Sequence, residues 1–112
     1  MEENYLRHLN PVRPPQVIGR LDRAVARALR HYREEIDPRG RVRIYVGRSH
    51  PMAYRSGFVW RSRFVLWLVY GSKRPLRRKD VHHLNRDRSD DRIRNLVPLT
   101  RKQHARMHRE KR

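Results

Sequence analysis

The sequence predicts an α+β fold: an N-terminal helix, a small antiparallel sheet, and a closing strand–loop–strand–helix (ββα) element. Three observations lead there. Apolar residues recur at three-to-four spacing from Ile18, apolar and polar residues alternate over Val42–Val46, and two short apolar runs near the C-terminus flank a polar loop ahead of a helix-capping signal.

Residues 1–17 contain Pro11, Pro14 and Pro15, which fix φ and disfavour helix in the residues before them, so this stretch reads as an extended arm. Leu21, Val25, Ala28, Leu29, Tyr32 and Ile36 continue the period begun at Ile18, predicting one amphipathic helix that Asp37-Pro38-Arg39-Gly40 ends. Val42, Ile44 and Val46 form one face of a strand, His50-Pro51 marks a turn, and Phe58, Val59 and Trp60 read as a second short strand. The run Phe64–Tyr70 is apolar at every position; we assign it to a helix, with Ser62 as N-cap and Gly71 as terminator. A basic loop, Gly71–Asp80, leads to a strand over Val81–Leu84, a polar loop over Asn85–Arg94, and a strand over Leu96–Leu99 whose Pro98 marks an edge. Thr100 and Gln103 then make the capping box of the last helix. The chain divides into an arm and helix at 1–37 and a second unit at 38–112, with the ββα element at 80–110.

The charge points to an acidic partner. The 112 residues are 37% hydrophobic and 36% charged, with a formal net charge of +18. Only four of the 29 basic residues are lysine, leaving 25 arginines, whose forked donors suit phosphate and guanine. Residues 38–79 hold twelve basic groups and no acidic one. Arg43, Arg48, Arg61, Arg63, Arg77 and Arg78 in that stretch are the candidate DNA contacts, against the plainer alternatives of a solvated basic face or a biased genome composition. The longest apolar run is seven residues, too short to span a bilayer. The start, Met1–Tyr5, lacks the basic and apolar stretches of a signal peptide, so the expected location is the cytoplasm. With no cysteine, a metal site must be built from His, Asp, Glu or Asn.

Four of the seven histidines fall in the last 31 residues. His104 and His108 lie four apart on the predicted helix and project from one face. A strand–loop–strand–helix path can bring His82 against them, giving a three-nitrogen metal site with positions open to water and a phosphate. A closed structural zinc site needs a fourth ligand, for which the tail offers Asp80 or Asp87. Because His82 and His83 are neighbours on a strand, their joint use requires a bulge or a strand end.

The stretch DVHHLNRDRSDDRIRNLVPLTRKQHARMH, residues 80–108, resembles the HNH endonuclease signature, and HPMAYRSGFVWRSRFVLWLVYGSKRPL before it is similar to the segment preceding that motif in phage-type members. The resemblance implies a ββα-metal (His-Me finger) core within 38–112, a divalent cation (Mg²⁺ or Mn²⁺, with Zn²⁺ or Ni²⁺ able to occupy the site) and hydrolysis of phosphodiester bonds in duplex DNA. It makes His82 and His104 metal ligands, His83 the general base, Asn95 the residue that orients His83, and His108 a third ligand or a phosphate contact. It also implies a phage or prophage source and a possible packaging or terminase partner. Ser62, Asn85 and Arg86 depart from the family pattern, which has a histidine near the first, often an acidic residue at the second and a glycine at the third.

Asp87, Asp90 and Asp91 read as braces for the polar loop against nearby arginines, and Trp60, Trp67, Tyr45 and Tyr70 as core. His8, His31 and His50 carry no assigned role. The competing functions are a non-catalytic nucleic-acid-binding module with a structural histidine site and an RNA-binding protein; His83 together with Asn95 favours the enzyme.

Overall fold

Pro15 opens helix α1, Pro15–Leu29, in a computed structural model that describes residues 15–110. The proline occupies the first helical position, where its missing N–H has no intrahelical partner to lose. The extended arm predicted for 1–17 thus lies mostly outside the described residues, and its last three positions are helical.

The helix is shorter than its periodicity predicts. It ends at Leu29 with two tight turns, His31 N–H to Ala28 O and Tyr32 N–H to Leu29 O, and Glu34–Ile36 become strand β1. Asp37 causes the switch: one carboxylate oxygen accepts from the Arg39 and Arg41 amides while Gly40 takes φ 84°, closing a hairpin into β2, Val42–Tyr45. Asp37-Pro38-Arg39-Gly40 is therefore a hairpin turn, not a helix stop. Tyr32 still reaches the core, edge-on to Phe64, whereas Ile36 stands 69% exposed on the outer strand.

Strand β3, Phe58–Trp60, completes an antiparallel sheet in the order β1-β2-β3. Helix α2, Arg61–Tyr70, follows without a break, so Ser62 sits inside the helix, buried, and Trp60 is the N-cap with no side-chain cap bond. Gly71 terminates it as expected, at φ 70° with its N–H bonded to Trp67 O. Phe64, Val65, Leu66 and Val69 are buried together with Ile18 and Val25 of α1, Ile44, Val59 and Leu96. One core thus unites α1 with the elements of 38–112. Tyr45, expected in that core, is 42% exposed.

The tail is the predicted ββα element. Strand β4, Lys79–His83, pairs with β5, Leu96–Thr100, in unbroken antiparallel register, and α3, Arg101–Glu110, follows. The capping box forms, with Thr100 Oγ1 accepting from Gln103 N–H and Gln103 Oε1 from Thr100 N–H. Side chains alternate across a strand, so β5 serves two packing layers. Leu96 enters the main core, while Val97 and Leu99 face Met107 of α3 in a second cluster. The ribbon lies between the main body and α3. Pro98 fits because a two-stranded ribbon leaves each strand one unpaired edge. Among the described residues no helix is long and apolar enough to cross a membrane.

Candidate metal centre and its cleft

Register decides which way each histidine points. His82 pairs with Val97 and shares its face, toward α3; His83 pairs with Leu96 and shares the opposite face, toward the main body. Of the two expected devices, a bulge or a strand end, the structure has the second: β4 runs unbroken and ends at His83, and both rings line one cleft at that end of the ribbon.

On the α3 side, His82 is 3% exposed and lies with its ring centroid 5.3 Å from that of His104 and 5.9 Å from that of His108. One ligand atom from each of the three falls within 4.8 Å of the others. The Nε2 atoms of His104 and His108 are 3.0 Å apart. Two nitrogens held at ordinary zinc-ligand distance from a shared ion would be separated by about 3 Å, so the donor set fits a divalent transition metal. Asp80 Oδ2 lies 3.3 Å from His104 Nδ1, where a carboxylate holds a ligating imidazole by its other nitrogen. His82 is buried and His108 exposed, which leaves the cluster open toward the cleft.

On the other side, His83 Nε2 lies 2.6 Å from Asp91 Oδ1, and the second oxygen of that carboxylate accepts from Arg61 Nε at 2.8 Å. Arg61 also donates to Glu34 of β1 and to Ser89 O. Burial works against the charge on Arg61, but Asp91 and Glu34 outweigh it and raise its pKa above the ordinary value. Asn95 makes no bond to the His83 ring: its Oδ1 accepts from Asn85 N–H, and its Nδ2 donates to Asn85 Oδ1 and Asp90 O. It clamps the two ends of the β4–β5 loop, and the ring contact belongs to Asp91. From α1, Asp22 Oδ1 accepts from Ile93 N–H beside it.

Asp90 and Asp91 pair with arginines as the sequence indicates, whereas Asp87 caps the loop through Ser89 instead. Asp87 is held below the ordinary carboxylate range first by the Ser89 hydroxyl, and Asp90 is lowered to about 2, chiefly by the hydrogen bond from Arg92. A depressed folded value stabilises above the unfolded value of 3.8 and is lost as pH falls through about 2. Arg92 is 74% exposed, so solvent screens the pair. Asp90→Ala is expected to cost about 1 kcal/mol at neutral pH, with the gap from wild type narrowing below about pH 4. Urea unfolding of both proteins across that range checks it; a gap independent of pH defeats the assignment.

The arginine candidates separate. Arg61 is occupied as described, and Arg63 donates to Lys79 O and Leu76 O while also lining the cleft. Arg43 is paired with Glu35 and stacked over Phe58. The stretch that lacks acids in sequence does not lack them in space, because the β1–β2 hairpin sets Glu34, Glu35 and Asp37 against Arg61, Arg43 and Arg41. Arg48, Arg77 and Arg78 are exposed and make no ion pair among the described residues. Arg39, Arg86 and Arg88 line the cleft around the histidines and were not among the candidate DNA contacts; for the last two, position in the loop after His83 was the available signal.

Residues 60–106 match the family model described as HNH endonuclease. That span includes His82, His83, Asn95 and His104 and ends before His108. No curated protein and no solved structure matches the chain.

Proposed function

We propose that this chain, whose residues 60–106 match the family model described as HNH endonuclease, is a divalent-metal-dependent endonuclease that hydrolyses phosphodiester bonds of DNA. The observation that carries this reading is the meeting, on one cleft, of a three-imidazole cluster and a fourth histidine held by a carboxylate.

His82, His104 and His108 would hold the cation. When bound, it offsets the charge that develops on the phosphate and the leaving oxygen. With Nε2 of His83 facing Asp91, its Nδ1 is the atom left to accept a proton from water. The water oxygen bonds to phosphorus, the bond from phosphorus to one sugar oxygen breaks, and that oxygen takes up a proton. His83 then releases its own to solvent. Histidine suits this exchange because its ordinary pKa lies near neutrality.

Arg86 supports a phosphate-binding cleft. It sits at φ 63°, the left-handed region that suits glycine, yet carries a long cationic side chain with no ion pair among the described residues. A non-glycine residue there costs about 1–2 kcal/mol, part of which is offset because glycine makes the unfolded chain freer. Arg86→Gly is therefore expected to stabilise the protein by about 0.5 kcal/mol while weakening DNA binding and flattening the slope of log affinity against log salt by about 0.9. Urea unfolding and binding titrations at several salt concentrations read the two effects. Weaker binding without altered slope removes Arg86 from the phosphate contacts.

The direct test of the function is incubation of the purified chain with supercoiled plasmid, chelator, and each of Mg²⁺, Mn²⁺, Ni²⁺ and Zn²⁺. Nicked or linear DNA with a metal and none with chelator supports the reading. Intact plasmid under every condition overturns it.

A further inference from the structure

We propose that Asp91, anchored by Arg61, is the positioning residue for His83, holding the imidazole by Nε2–H so that Nδ1 faces the cleft as the proton acceptor. The inference rests on the nuclease reading and adds to it the group that aims the base.

Three observations carry it. The Asp91 carboxylate is 4% exposed and uses one oxygen on each partner, His83 at 2.6 Å and Arg61 at 2.8 Å. A buried carboxylate fixed on its far side by a guanidinium cannot turn away from the ring, so the ring's orientation is set by the fold. Arg61 is held in turn by Glu34 and by Ser89 O, which ties the contact to both the β1–β2 hairpin and the β4–β5 loop. Finally, Asn95 bonds to the loop and makes no hydrogen bond to the ring, so among the described residues Asp91 is the hydrogen-bond partner of the His83 imidazole. Glu34 lies outside residues 60–106, so the support of the base reaches beyond the family segment.

The test uses Asp91→Ala and Asp91→Asn in the full chain. Asparagine keeps an acceptor for Nε2–H and loses the charge; alanine loses both. Three quantities are measured: the single-turnover rate on plasmid, DNA affinity, and the proton resonance of the His83 Nε2–H, assigned with His83→Gln. A strong hydrogen bond to a buried carboxylate should give a downfield, slowly exchanging N–H signal in wild type that Asp91→Ala abolishes. The expected rates are a loss of about 10²-fold for alanine, with asparagine recovering part of it and DNA affinity unchanged, since a misaligned base harms the rate and not binding. If Asp91→Ala does not fold, the asparagine variant carries the same comparison through its intermediate rate and weakened signal.

An unchanged rate in a folded Asp91→Ala chain, or an Nε2–H signal that survives it, overturns the positioning role while the nuclease reading stands. Equal losses in both variants with parallel loss of thermal stability also overturn it, because a purely structural contact behaves that way. A wild-type chain that leaves all DNA intact instead overturns the nuclease reading, and the base assignment with it.

Discussion

His83→Ala is expected to lower DNA cleavage by about 10²- to 10⁴-fold while leaving metal and DNA binding in place. The reason lies in the register of the ribbon. His83 projects away from α3, so deleting its ring removes nothing from the cluster of His82, His104 and His108. The fold should persist as well, because Asp91 keeps Arg61 as its partner and Leu96, across the strand, stays in the core. Only the group that takes a proton from water is gone. The checks are single-turnover nicking, calorimetric titration with Mn²⁺ and thermal unfolding. Cleavage at the wild-type rate in a folded, metal-binding variant sinks the base assignment, whereas joint loss of metal binding and cleavage means that the two faces of the ribbon are not independent.

That separation was half legible in the sequence. Strand alternation foretells that neighbouring histidines point apart, and their joint use was expected to need a bulge or a strand end; His83 closes β4, but the side of the ribbon each ring takes was not readable. What decides it is the packing of the ribbon between two layers, which depends on where Leu96 and Met107 find burial. The i, i+4 pair His104 and His108, the capping box and the Gly71 stop were readable because each is local, fixed by spacing or by one residue's conformational freedom.

The features that were not readable are long-range. Tyr32 and Ile36 continue the helical period, but the short-range hydrogen bonds of Asp37 favour a hairpin, and periodicity cannot register that competition. Arg61 looked like a phosphate contact because its sequence neighbours carry no acid; its partners stand 27 and 30 residues away. Asp91 read as a loop brace against arginine, which it is, and nothing in its sequence neighbourhood marks the second bond to His83. Conversely, the departure at Arg86 acquires a physical meaning: the position has positive φ, which is why glycine suits it.

The second large effect is expected at the metal cluster, where binding should also stabilise the fold. Helix α3 has ten residues, too few to be stable alone, and among those whose burial is described Met107 alone is buried. A cation shared by His82 of β4 and by His104 and His108 of α3 would staple helix to ribbon. A ligand that binds only the folded state stabilises by about 2.7 kcal/mol at a hundredfold excess over Kd. For a domain of this size that amounts to a rise of about 10 °C in Tm. Nitrogen ligands favour transition metals, so Mn²⁺, Ni²⁺ and Zn²⁺ should produce the shift more readily than Mg²⁺, which prefers oxygen. His82→Ala and His104→Ala should abolish both the shift and cleavage. His108→Ala, at the exposed edge of the cluster, should keep part of each. Differential scanning calorimetry with and without each metal, alongside nicking assays on the three variants, gives the comparison. A Tm that ignores every metal, or a wild-type shift retained by His82→Ala, removes the three histidines as a metal centre; metal-dependent stability with no cleavage in wild type identifies the structural-site alternative.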